Sequence, residues 1–141
     1  MVIIHHEPRP DGSRQMPEVG IEIPAHASAL GKAVLAFTPP AEPTALRSMT
    51  GETITAPEAL AEHLRAVRES GLAYERDEAV LGESCVAGAI FDRTGTITGA
   101  VAVVLPTTGW PASDATVDAV RTTARTISRE LGSPRWPAPP P

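Results

Sequence analysis

Apolar and polar residues follow two different periods along the chain, and each change of period marks an element. Residues 2–6 are rich in β-branched side chains and read as a strand. A turn follows with Pro8, Pro10 and the pair Asp11-Gly12, a strong hairpin signal, and residues 19–23 read as the returning strand. After Pro24 the period lengthens. Ser28 is a good helix N-cap, and Leu30, Val34, Leu35 and Phe37 follow before Pro39 and Pro40 end the helix. A short helix is expected over 41–47. Thr55 and Glu58 have capping-box spacing with Pro57 between them, and Leu60, Leu64 and Val67 form one apolar stripe ending at Gly71. Arg65 and Arg68 read as a solvated face.

Three strands come next, over 72–75, 84–91 and 96–105, the last two joined by a hairpin turn at 92–95. The third strand is almost wholly apolar from Gly99 onward, which predicts burial on both faces and a central place in the sheet. Residues 113–131 carry the cleanest helical stripe: Val117, Val120, Ala124, Ile127 and Leu131. Gly132 ends it, and the proline-rich tail 133–141 is expected to be disordered or extended. The order β-β-α-α-α-β-β-β-α uses hairpins rather than crossovers. It predicts an α+β domain over 1–132, a mainly antiparallel sheet with helices packed on its faces.

Composition narrows the function classes. At 141 residues the chain makes one domain and buries a core without disulfides or metal. A net charge of −5 argues against a nucleic-acid-binding face. No apolar run reaches the ~18 residues of a membrane helix, and no secretory signal opens the chain. The single Cys85 excludes an internal disulfide and fits a reducing cytoplasm. His5, His6, His26 and His63 show no metal-ligand spacing, so neither metal nor cofactor is expected. The chain opens directly in a strand-like run, as the interior of a longer protein would.

The candidate chemistry is sparse. The helix start at 24–33 is built of small residues, which suits either a seat for a small anion or carbonyl, or tight helix-on-sheet packing. Cys85 is a candidate nucleophile if His26 lies beside it; the favoured reading is a small buried strand residue. Glu75 and Asp77 could pair for acid–base work, although Asp77 reads better as a strand-end surface residue. No phosphate-binding, zinc-protease or serine-hydrolase motif is present. The residues point to a small-molecule pocket and not to an enzyme.

The segment Pro24-x-His26-Ala27-Ser28-Ala29-x-Gly31-Lys32-Ala33 resembles the signature of the effector-binding domain of IclR-family transcriptional regulators. The resemblance continues through Thr53-Ile54-Thr55, Pro57-Glu58-Ala59-Leu60, Val67-Arg68-x-x-Gly71-Leu72-Ala73, Asp77-Glu78, Gly82-x-x-Cys85-Val86-Ala87, Asp92-x-x-Gly95 and Ala124-x-x-Ile127-Ser128-x-x-Leu131-Gly132. It implies a GAF-like fold that binds a small-molecule effector and assembles as a homodimer or homotetramer. DNA would be contacted only through an N-terminal winged helix-turn-helix absent from this chain. By position, the resemblance assigns Ala29 and Leu30 as backbone N–H donors to an anionic ligand, Ile23 as apolar wall, and Glu75 and Cys85 as further ligand contacts. Ala102 and Val104 stand where the family commonly has hydroxyls. That departure predicts a carboxylic acid effector larger or less polar than glyoxylate or pyruvate. Two competing readings are a GAF-like thiol enzyme using Cys85 and a ligand-free dimerisation module.

Overall fold

A computed structural model of the chain describes residues 2–12, 23–39 and 45–138. It is an α+β fold. Helix α1 (Ala29–Leu35) and helix α2 (Pro57–Ser70) precede strands β1 (Leu72–Arg76), β2 (Glu83–Phe91) and β3 (Ile97–Pro106), and helix α3 (Asp114–Glu130) closes it. The strands form one antiparallel sheet in the order β1-β2-β3. Its register aligns Glu75 with Cys85 and Cys85 with Val104. Because side chains alternate across a strand, Glu75, Cys85 and Val104 share a face with Ala73, Ala87 and Ala102. Leu72, Val86 and Val103 point to the other.

Each face has its own helix. α1 packs its alanines on the first, in a core with Ala87, Ala89 and Phe91, where Phe37 meets Phe91 edge-on with ring centroids 4.8 Å apart. α3 packs on the second, against Leu72 and Val86. It comes close because β2 carries Gly88, where a Cβ would lie 2.6 Å from that of Ala124. Ser128 ties the end of β2 to α3, its Oγ accepting from the Phe91 N–H and donating to the Ala124 carbonyl. The helix starts follow local chemistry: Ser28 and Ser113 accept from the N–H groups of Gly31 and Thr116. Gly71 ends α2 in the left-handed conformation, φ 72°.

Several expectations are corrected. Among the described residues β2, not β3, is the middle strand and β3 lies at an edge, with Val103 36% exposed. Two successive short connections lay the three strands side by side in chain order, so the middle one in sequence is the middle one in space. No capping box forms: Ala56 is the N-cap of α2, without a side-chain bond, and Pro57 takes the first helical position. Arg68 is not merely solvated, since its Nε donates to the Ala36 carbonyl at 2.6 Å, just past α1. Leu131 is 48% exposed, beyond the reach of the core. Only Val2 and Ile3 of the first predicted strand make bridges.

The tail is not loose over 133–138. Trp136 donates its indole N–H to the Ala89 carbonyl at 2.7 Å and stacks against Gly71, and Ala138 is buried. A large apolar ring with one polar handle anchors a segment that its prolines alone leave extended. The predicted strand 19–23, apart from Ile23, lies outside the described residues, as do 41–44 of the predicted short helix and 139–141 of the tail.

Candidate functional site

The site is built where the chain turns into α1. After Pro24 comes one tight 3-10 turn, Ala25–Ala27, which folds back over the helix it precedes. A Cβ at Gly31 would lie 2.2 Å from the Ala25 carbonyl oxygen and 2.4 Å from the Ala25 Cα. The small residues here therefore serve close packing of the chain's own backbone, and Ala27, Ala29 and Ala33 are fully buried.

Beside this turn lies a cavity of about 30 Å³. Ile3, Ile23, Leu30 and Val104 supply apolar wall, Glu75 and Cys85 come from the sheet, and Ala79, Val80 and Glu83 come from the β1–β2 connection and its end. Five of the seven residues singled out in the sequence thus converge: Ile23, Leu30, Glu75, Cys85 and Val104. Ala29 and Ala102 do not line it; both pack in the core beside it. A larger, open groove of about 330 Å³ runs between α3 and the tail, lined by Arg125, Arg129, Arg135 and Trp136, and contains none of the predicted site residues.

Glu75 is 6% exposed, and its Oε1 accepts the N–H groups of Glu78 at 2.7 Å and Ala79 at 3.3 Å. Burial pushes its carboxyl up to about 7, although those two N–H groups act the other way. Lys32, on the buried side of α1, is fully enclosed. Its Nζ donates to Glu78 Oε1 at 2.5 Å and to the Tyr74 carbonyl at 3.2 Å. Burial lowers the lysine pKa, opposed by the hydrogen bond and charge of Glu78. Glu78 Oε2 has no hydrogen-bond partner among the described residues. His63 is held down to about 4 by burial and then by the Lys32 charge.

The loop carrying Glu78 is strapped from outside. Thr53 donates to the Glu78 carbonyl and Thr50 to the Asp77 carbonyl, both at 2.6 Å. Asp77 holds a left-handed conformation, φ 57°, and its Oδ1 accepts from Gly82 N–H and Thr107 Oγ1. Asp77 is thus a loop brace and not the acid–base partner of Glu75. His26 is occupied elsewhere, its Nε2 within 2.9 Å of the Arg47 carbonyl, and does not pair with Cys85, which is 6% exposed.

Sequence reasoning missed Lys32 and Glu78. The signal was present: Lys32 lies on the helical stripe of Ala29, Ala33 and Ala36, an apolar face where a lysine needs a buried partner. Among the described residues no cluster of three or more His, Cys, Asp or Glu side chains is placed to hold a metal, and no helix is long and apolar enough to cross a membrane.

Residues 1–129 match the family described as the C-terminal domain of the bacterial transcriptional regulator IclR. The glycerol operon regulatory protein of Streptomyces griseus is 38% identical over 145 residues, covering 96% of this chain and 57% of that protein. The DNA-binding transcriptional repressor YiaJ of Escherichia coli is 32% identical over 142 residues, covering 94% of this chain and 50% of the repressor. Among solved structures, the transcriptional regulator YaiJ superposes with a TM-score of 0.79 at 32% identity, covering 93% of this chain and 78% of that one. The IclR protein of Thermotoga maritima gives 0.73 at 28% identity, covering 86% and 53%. The chain spans about half the length of the curated relatives it matches. It belongs to the IclR family of bacterial transcriptional regulators, in the part corresponding to the C-terminal domain.

Proposed function

We propose that this chain is the effector-binding and oligomerisation domain of a cytoplasmic, DNA-binding transcriptional regulator, and that the cavity between α1 and the sheet is its effector site. The observation that carries the reading is the convergence of Ile23, Leu30, Glu75, Cys85 and Val104 on one cavity from four separate segments. A cavity of about 30 Å³ holds little more than a water. An effector of several heavy atoms therefore displaces its walls, Leu30 on α1 or the β1–β2 loop. Occupancy is thus coupled to the position of α1 and, through assembly as a dimer or tetramer, to the DNA-binding segment. A ligand drives such a change only by binding one arrangement better than the other.

A thiol enzyme is not favoured, because His26 is committed to Arg47. The resemblance implies an organic acid as effector. Thermal unfolding against small acids and small neutral molecules tests the reading. A ligand at 100-fold its Kd stabilises by about 2.7 kcal/mol. A shift with one chemical class, abolished in Val104→Trp, supports the effector site. No shift with any class leaves an assembly module without a ligand.

A further inference from the structure

The open groove between α3 and the tail is a built feature of the fold. Thr122, Arg125, Thr126 and Arg129 line one wall at positions i, i+3, i+4 and i+7, a single face of α3. The tail supplies the other wall with Arg135 and Trp136. That wall is pinned at three points. The Ser133 N–H donates to the Ser128 carbonyl at 2.8 Å, Ser133 Oγ to the Arg135 carbonyl at 3.0 Å, and the Trp136 indole N–H to the Ala89 carbonyl at 2.7 Å. A third arginine is thereby brought to a groove that already holds two. The chain carries a net charge of −5, yet residues 121–135 hold four of its 12 lysines and arginines against one carboxylate, Glu130. Arg121 is paired with Asp118, and Arg129 meets Glu130 only at 3.5 Å in an exposed position, where an ion pair holds loosely. Among the described residues no carboxylate pairs with Arg125 or Arg135. Like charges one helical turn apart repel, so an anion in the groove relieves Arg125 and Arg129.

We propose that this groove is a second small-molecule site, which takes a phosphate group, free or carried on a small molecule. A phosphate offers several acceptor oxygens and close to two negative charges near neutral pH, and guanidinium forks match that geometry. The hydroxyls of Thr122 and Thr126 add donors between the arginines. Trp136 has spent its polar edge on Ala89, so it offers the groove only apolar ring surface, a seat for the carbon portion of a phosphate ester. The volume of about 330 Å³ lies at the lower end of ligand pockets, large enough for such an ester. Among the described residues the groove shares no lining residue with the cavity beside α1, so the inference stands apart from the effector reading. A ligand held by Arg125, Arg129 and Arg135 together joins α3 to the tail.

The test is isothermal titration of the chain with inorganic phosphate and with phenyl phosphate, at about pH 7.5 where both are largely dianionic. We expect saturable binding of one ligand per chain. Tighter binding of phenyl phosphate assigns the site to a phosphate ester, and equal binding assigns it to free phosphate; either supports the inference. Arg125→Gln and Arg135→Gln should each weaken binding about tenfold, the loss expected for a hydrogen bond to a charged group. Arg125→Lys and Arg135→Lys keep the charge without the fork and should still lose several-fold. Arg65→Gln, on the exposed face of α2, should change nothing. All of these side chains are exposed, so the variants fold. Absence of saturable binding overturns the inference. So do lysine variants that bind like the wild type, or an equal loss in Arg65→Gln, since either result describes a diffuse positive surface. Duplex DNA bound in preference to both phosphates also overturns it. Phosphate binding that Val104→Trp abolishes and the arginine variants spare belongs to the cavity beside α1; it overturns this inference and leaves the effector reading standing.

Discussion

On the face of the sheet covered by α3, Leu72, Val86 and Val120 meet without a charged side chain among them. On the face covered by α1, the same sheet buries Lys32, Glu75 and Glu78 together. The first face is held by apolar contact alone. The second adds to its apolar packing a 2.5 Å contact between Lys32 and Glu78, and parting them leaves a buried charge without its partner. The contrast separates anchor from responsive element: α3 has reason to stay with the sheet, whereas α1 and the β1–β2 loop are tied by interactions that an occupant of the cavity can disturb.

The sharpest way to break the contrast is to remove one buried charge. Lys32→Met leaves Glu78 unpaired and should cost about 3–5 kcal/mol in urea unfolding, and adding Glu78→Leu should recover most of that loss. A double variant as unstable as the single one would mean that the pair is not the unit. On the anchor face, Leu72→Ala should cost about 2–5 kcal/mol through the cavity it leaves, while ligand affinity in the folded fraction stays unchanged. A large change in affinity there would join the two faces into one responsive unit.

Titration sharpens the comparison further. Glu75 takes up protons more readily folded than unfolded, so its ionisation destabilises the fold as pH rises from 4.5 through about 7. The full cost above that window is on the order of 3 kcal/mol. Glu75→Gln should therefore raise stability near pH 8 and bring little near pH 4. His63 has the opposite sign: with its pKa held down to about 4, its stabilising share is present above 6.5 and is lost as pH falls through 4. Where the windows overlap the two slopes oppose each other. Chemical unfolding across pH should show His63→Gln exposing the fall with rising pH, and Glu75→Gln exposing the fall with falling pH. The smallest effect is expected at the start of α3, where Ser113→Ala removes the N-cap and should cost about 1 kcal/mol, read as a small drop in Tm.

Local signals carried much of the fold. Ser28, Ser113 and Gly71 mark helix ends by hydrogen bonding and backbone freedom that need no tertiary partner. Apolar periodicity identified the three helices and three strands of the described residues. It did not order the strands, because an apolar run such as 99–105 reports a preference for burial and not which neighbours provide it. The tail failed for a related reason: six residues of proline-rich chain look unpacked until Trp136 finds Gly71, whose missing side chain leaves room for the ring.

The candidate site divides the same way. Residue type and spacing determined that Glu75 and Cys85 lie on strands, that Ser28 begins a helix of small residues, and that the chain carries the IclR-family pattern. Only the tertiary structure decided that Glu75 and Cys85 stand opposite each other, that Ala29 and Ala102 pack beside the cavity and not in it, and that Lys32 meets Glu78 across 46 positions of sequence. Periodicity and capping are properties of a few consecutive residues. The pairing of buried charges and the sign of a cavity's lining depend on which distant segments are brought into contact, and on how far their shared burial excludes water.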